Sequence, residues 1–487
     1  MSDNCANSFE TDYSTRSVPL NEIEASLRLP MLHGLVAAMI WLTVGTVFHL
    51  ISVSQLLSPG WFADCVWLTH GKASVVADSA LLYGFGIQMV TTLGLYISCR
   101  MSRKALRHPF SYLVAGKFWN LGVLIGVVGI FAGDASGFEF LALPVYSSAV
   151  LFLSFLVMSL KNLLVIHYRS EREFYPAQLF QAAGMFWFLW VLATAIVVLQ
   201  LQPVSGVAQF VVNKWYVNGV FQLVLGAGGV ALLTYFVPQI AQRPLYSREL
   251  AVTTFWTLLF VAGWTGLSGR WPLPAWMSGV SGCAAFLLAV PLATFVWNTW
   301  RTLIPDLSKV VSNPVGSLLI VGTLSYALWL TSEMFLGFAG VSDLLRETHF
   351  ESAREALLLY GFVGSTGFGV MMLVVPRLTG VDWSVGSSRL IFQTTLAGLV
   401  LNVGGFAIAG LKQGIALSDS SLSFKAVSES GLGFLELARI GEIGLLIAGG
   451  ITSVELLRMI GRSFYAENPV LDWMSDESTA TADKEAV

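Results

Sequence analysis

The sequence predicts an all-α membrane protein, a bundle of twelve transmembrane helices, and three observations carry that prediction. Hydrophobic residues make up 55% of the chain and charged residues 12%, against about 25% charged in an average soluble domain. The apolar residues come in long runs of about 20, enough to cross a ~30 Å hydrocarbon core at ~1.5 Å per residue. Basic residues gather in alternate connections between those runs, which is how cytoplasmic loops are marked.

Taken in order, the runs lie near residues 33–54, 75–98, 111–132, 144–168, 178–200, 210–236, 251–267, 277–299, 316–338, 355–376, 390–411 and 437–459. The seventh is the shortest. An even number returns both termini to one side. That side receives Arg100, Arg103, Lys104, Arg107, Arg169, Arg172, Arg243 and Arg248, then Arg301, Lys309, Arg377 and Arg389. Both ends are therefore expected in the cytoplasm. Residues 1–30 read as a cytoplasmic tail with no short apolar core of a cleavable signal, 31–462 as the transmembrane domain, and 463–487 as a polar tail expected to be disordered.

The basic residues sit between apolar blocks rather than in one patch, so no nucleic-acid footprint is present. The expected partners are the lipid bilayer and neighbouring membrane subunits. Cys5, Cys65, Cys99 and Cys283 are scattered; no CxxC pair exists for covalent haem, zinc or an iron–sulfur cluster.

Polar groups within the spans carry the functional argument, because each costs a few kcal/mol in hydrocarbon unless paired or hydrated. Asp78 lies in the second span, Lys117 and Asn120 in the third, Lys161 and Asn162 in the fourth, Asn218 and Gln222 in the sixth, and Glu333 in the ninth. Asn218 and Gln222 are one helical turn apart, as expected of a hydrogen-bonded interhelical pair. Asp78, Asn218, Gln222 and Glu333 together form a candidate intramembrane polar pathway. Six histidines are present, but His33 and His49 stand about 24 Å apart along one helix, and no His-x-His, His-His or HExxH occurs.

YFVPQIAQRPLYSREL at 235–250, continuing through Phe255, Trp256, Trp264, Gly266 and the LPAW ending at Trp276, resembles subunit I of cbb3-type haem–copper cytochrome c oxidases. WLTHGK at 67–72, ALLYGFG at 80–86 and VVPRLTG at 374–380 extend the resemblance. It covers most of residues 30–410. It implies the twelve-helix oxidase subunit I fold, a bacterial cytoplasmic membrane, and partner subunits that include cytochrome c-type proteins.

That family binds two haems and one copper through six histidines. The resemblance aligns those positions with Ala77, Asn218, Ser268, Gly269, Leu357 and Leu359. Alanine, glycine and leucine offer no ligand atom, and asparagine and serine are weak ligands for iron or copper. The expectation is therefore a chain that holds no cofactor, with no catalytic residue and no metal site. It would be a catalytically degenerate scaffold or accessory subunit of a respiratory assembly. An active oxidase or nitric oxide reductase with rerouted ligands, and a solute or ion transporter, are the alternatives. Trp271, Phe221 and Phe362 are the expected fillers of any space left by a haem, since large apolar voids are unfavourable.

Overall fold

The computed structural model describes residues 18–466, except 63, 172 and 270. The expected tail at 463–487 therefore lies almost wholly outside the described residues. Among those residues there are helices and no strands. Twelve long helices follow one another: α1 Leu20–Leu57, α2 His70–Ser102, α3 Pro109–Ala132, α4 Val145–His167, α5 Pro176–Leu201, α6 Val207–Ile240, α7 Arg248–Ala262, α8 Ala275–Ser312, α9 Pro314–Leu336, α10 His349–Thr379, α11 Val385–Leu417 and α12 Leu432–Ala466.

Eleven of these are long and apolar enough to cross a membrane. The exception is α7, the short seventh run, which is 15 residues long and so only about 22 Å at the helical rise. It stops at Ala262, and the chain folds back through Gly263 to Leu267 instead of continuing as a helix. At the other extreme, α1 starts well before the expected boundary at residue 31. Its first turns are polar in composition, yet Ile23 and Leu27, one turn apart, are fully buried, and Glu24 pairs with Arg100 at 2.6 Å.

Local chemistry sets the helix ends. Asn313 caps α9 by accepting from the Val315 N–H at 3.0 Å, with Pro314 in the first turn where a missing N–H costs nothing. Ser247 does the same for α7 through Leu250 N–H at 3.1 Å. Gly133 ends α3 and Gly380 ends α10, each with positive φ, as C-terminal glycines commonly are.

Burial divides the twelve into layers. The apolar windows of α2, α6 and α10 are 100%, 94% and 94% buried, against 33% for α8. These three form the inner core, and the other helices surround them and face lipid. Each inner helix also carries a π-helical stretch: Ala80–Ile87 in α2, Val220–Gly226 in α6 and Leu357–Gly364 in α10. The α2 stretch packs against both of the others at the centre of the bundle.

At the periphery α11 and α12 pack most closely. A Cβ on Gly441 would come within 2.2 Å of the Asn402 backbone nitrogen, and one on Gly405 within 2.5 Å of the Ala438 nitrogen. Small residues are what let two helix backbones approach this far inside a membrane.

Candidate functional site

The site is built where the inner helices leave the α-helical repeat. A π stretch inserts one extra residue per turn and rotates the side chains that follow, which is why such stretches concentrate at functional positions. The glycines allow the π stretches to nest. A Cβ on Gly86 of α2 would meet Leu359 of α10 at 3.2 Å and Leu225 of α6 at 3.4 Å, and one on Gly229 would collide with the Phe362 ring. Phe362 in turn stacks on Tyr326 of α9, with centroids 4.3 Å apart and an interplanar angle of 19°.

The opposite wall of this centre is a hydrogen-bonded amide cluster. Gln222 Nε2 donates to Asn218 Oδ1 at 2.7 Å and also to the Thr265 hydroxyl oxygen. Asn218 Nδ2 donates to the Ala262 carbonyl, and Thr265 Oγ1 lies 3.0 Å from Asn218 Oδ1. All three side chains are buried, Gln222 completely. Gln222 Oε1 is left without a hydrogen-bond partner.

Beyond Asn218, toward the face opposite the chain termini, lies a charged rim around a pocket of about 60 Å³, room for one or two waters. Glu333 is ion-paired to Arg354, and its other oxygen is 3.7 Å from Arg346. Arg354 also holds Glu351 at 2.6 Å, and Lys214 holds Glu139 at 2.7 Å. Arg346 Nη2 donates to Ser268 Oγ at 3.0 Å, and Ser268 donates to the Leu336 carbonyl at 2.7 Å. Glu355 lines the same pocket.

The structure brings three of the four expected pathway residues together: Asn218, Gln222 and Glu333 adjoin one pocket, with Gln222 reaching it through Asn218. Asp78 is not on the pocket wall; its electrostatic neighbours include His49 and two carboxylates that do line the pocket, Glu139 and Glu355. Among the expected fillers, Phe362 occupies the centre, whereas Phe221 meets Phe140 edge-on and Trp271, in the connection after α7, packs on Phe210 in the first turn of α6. Arg346, Arg354 and Thr265 were not anticipated. Arg354 lies one residue before the expected start of the tenth span, so it read as a loop charge; α10 begins at His349 and carries it into the helix, facing Glu333. Thr265 lies inside the expected seventh run, 251–267, but α7 ends at Ala262 and the residue falls in the fold-back, where it meets Gln222.

The six aligned positions lie around this centre and beside the rim. Ala77 is fully buried, Leu357 and Leu359 belong to the α10 π stretch, and Asn218 and Ser268 spend their polar atoms on the bonds above. Gly269 has φ +132°, a backbone that favours glycine. Nor do the histidines gather here: His49 binds Glu442, and His70 lies 3.0 Å from Ser52 Oγ. Among the described residues no group of three or more His, Cys, Asp or Glu could hold a metal ion.

Twelve helices, nine of them around three π-interrupted inner ones, define a polytopic membrane protein with the haem–copper oxidase subunit I fold. The solved structure of a haem–copper terminal oxidase dimer superposes with a TM-score of 0.69 at 14% identity, over 89% of this chain and 84% of that one. The chain belongs to the family described as Cytochrome C and Quinol oxidase polypeptide I, whose profile matches residues 30–441. Its relatives include the Cytochrome c oxidase subunit 1 homolog, bacteroid, of Bradyrhizobium diazoefficiens, 26% identical over 433 residues, 83% of this chain and 74% of that protein. The Cbb3-type cytochrome c oxidase subunit CcoN1 of Stutzerimonas stutzeri is 24% identical over 443 residues, 87% of this chain and 91% of that one.

These matches correct the expectation of a chain without cofactors. The family is one of haem–copper oxidases, so haem and copper are implied for its members, and nothing shows that they have been lost. Missing imidazoles at six aligned positions speak only about those positions. The residues there do not themselves fit as ligands: two leucines, an alanine and a glycine have no donor atom, and the asparagine and serine are hydrogen-bonded elsewhere.

Proposed function

We propose that the chain is a cbb3-type cytochrome c oxidase subunit I-like protein of a bacterial cytoplasmic membrane, with both termini in the cytoplasm. It acts as a scaffold or accessory subunit of a respiratory assembly rather than as the oxygen-reducing subunit. One observation carries the reading. The side chains at the six aligned positions are buried leucines and an alanine, a glycine, and an asparagine and a serine held by their own hydrogen bonds, so none of the six offers an imidazole nitrogen.

Positioning is what these residues do. The Asn218–Gln222–Thr265 cluster ties α6 to the end of α7, and Glu333 with Arg354 ties α9 to α10. A bundle fixed in this way keeps the outer helices in a set geometry for neighbouring subunits. The test is oxygen uptake by the purified chain with reduced cytochrome c, alongside native gel electrophoresis of solubilised membranes. The expected result is no uptake above background and migration of the chain in a larger assembly. Sustained uptake that follows the chain through purification would establish the active-oxidase alternative instead.

One observation favours a second reading, an ion pathway: the water-sized pocket bounded by Asn218 and Glu333. Flux into liposomes that falls in a Glu333→Gln variant would support it; equal flux removes it.

A further inference from the structure

Away from the amide cluster, TVFHLISVSQ at 46–55 lays a polar stripe along α1. Thr46, His49, Ser52 and Gln55 recur every three residues, so each neighbours the next on the helix surface, and Thr46, Ser52 and Gln55 are buried. Each reaches a different partner. Gln55 Nε2 donates to the Trp61 carbonyl at 3.3 Å, and Ser52 Oγ lies 3.0 Å from His70 Nδ1. His49 Nδ1 pairs with Glu442 of α12, and Thr46 Oγ1 lies 3.0 Å from the Tyr360 hydroxyl of α10. The stripe therefore leads from His70, exposed at the start of α2 on the face opposite the termini, into the bundle. Glu442 stands ten residues into α12 from Leu432, about 15 Å along the helix.

The pair at the inner end is unlike Glu333, which guanidiniums hold. Glu442 is completely buried, and its partner is an imidazole, whose charge is itself a bound proton. Its second oxygen, Oε2, has no hydrogen-bond partner. Asp78 of α2 is an electrostatic neighbour of the same imidazole and of Glu139 and Glu355, and Tyr360 neighbours both Asp78 and Glu442. At the surface, His349 of α10 neighbours His70. Two bases on the flanking helices are engaged elsewhere: Lys72 donates to the Phe131 carbonyl at 2.9 Å, and Arg439 pairs with Glu436 at 2.6 Å.

Counting charge fixes what this cluster holds. Two carboxylates and one imidazole are neutral together only with two protons bound, and a net charge this deep in a membrane bundle is costly. One proton makes the imidazolium that pairs with Glu442. The other belongs on Asp78. Among the described residues no group of three or more His, Cys, Asp or Glu could hold a metal ion, so the proton is the cation the cluster fits. Chains of Asp, Glu and His within spans are the usual form of intramembrane proton relays.

We propose that Asp78, His49 and Glu442 form an intramembrane proton-binding site, filled from the face opposite the termini through His70 and Ser52. His70 Nδ1 lies 3.0 Å from the Ser52 hydroxyl and 3.2 Å from the Ser52 carbonyl, so it donates to the carbonyl when protonated and accepts from the hydroxyl when bare. A proton arriving from water on His70 Nε2 frees the one on Nδ1 for Ser52 Oγ. The hydroxyl gives its own to His49, one turn deeper, and the imidazole passes one to the Asp78 carboxylate. Each step breaks one N–H or O–H bond and makes another, with no electron transferred. The site depends neither on the scaffold role nor on the pathway at Glu333.

The experiment is infrared difference spectroscopy of the full chain in lipid nanodiscs, from about pH 5.5 upward, above the ~4 of exposed carboxylates. The expected result is a protonated-carboxyl C=O band that is lost as pH rises, is absent from Asp78→Asn and returns, shifted, in Asp78→Glu. After a rapid pH jump, Ser52→Ala and His70→Ala should lose the band about a hundredfold more slowly, the low end of what a positioned proton-transfer group contributes. The His49→Gln/Glu442→Gln variant, which strands no charge, should be slowed in the same way. Ser52→Thr keeps the hydroxyl and should hold the native rate, which separates a lost relay from a disturbed fold. A band that persists unchanged in Asp78→Asn, or no such band in the native chain, would overturn the site. Equal rates in the native chain and Ser52→Ala would overturn the route. Either failure leaves the family assignment and the scaffold reading untouched.

Discussion

Glu333 is 3% exposed and sits between two guanidiniums. Removing one partner of such a buried pair strands a charge, which costs far more than the pair itself contributes. Arg354→Met is therefore expected to destabilise the protein by about 3–5 kcal/mol, read as a lower unfolding midpoint in detergent. The amide cluster obeys the same asymmetry in milder form. Gln222→Leu leaves Asn218 Oδ1 and Thr265 Oγ1 each short of a donor and should cost about 1–3 kcal/mol. The double variant Asn218→Leu/Gln222→Leu, which removes both amides, should cost less than the sum of the two single changes, and a double-mutant cycle on thermal unfolding measures the difference. The sequence made the Asn218–Gln222 pair legible because four residues in a helix is one turn. It left their third member, Thr265, unreadable, since that residue lies in the fold-back that ends the seventh run early.

Among the elements, the π stretches matter most, and hydrophobic periodicity gave no sign of them. A run such as LLLYGFVG is apolar throughout, so adding a residue to a turn changes no pattern. Tertiary nesting selects the wider turn: Gly86, Gly226 and Gly229 let neighbouring rings and leucines enter. Helix packing at the periphery follows the same rule of small residues. Gly441→Val should disrupt the α11–α12 contact, because a Cβ there would collide with backbone rather than with a side chain able to move. A loss of about 1–3 kcal/mol, typical of overpacking, is expected in the same unfolding assay. At the start of α5, Tyr175 donates to the Thr234 carbonyl of α6 at 3.2 Å. Burial pushes its phenol up to about 12. Its folded value exceeds the ~10 of an unfolded tyrosine, so its contribution is complete below pH ~10 and is lost as pH rises through about 12. Stability of the Tyr175→Phe variant should fall less steeply across that alkaline window.

For the molecule as a whole, the proposed orientation is tested by labelling. In a cysteine-free background, Glu173→Cys in the α4–α5 connection should resist an impermeant thiol reagent applied to intact spheroplasts, and Ser205→Cys in the α5–α6 connection should react. The reverse pattern would invert the bundle. By itself the sequence determined that the chain is a membrane-embedded helical bundle, the order of its helices, and the family it resembles, because a long apolar run has no other low-energy state in a bilayer and its length is set by the hydrocarbon thickness. It did not determine which helices lie innermost, where they widen into π turns, or that Arg354 reaches Glu333 and Thr265 reaches Gln222. Those contacts join residues on different helices, and only the packing of side chains across the bundle decides them.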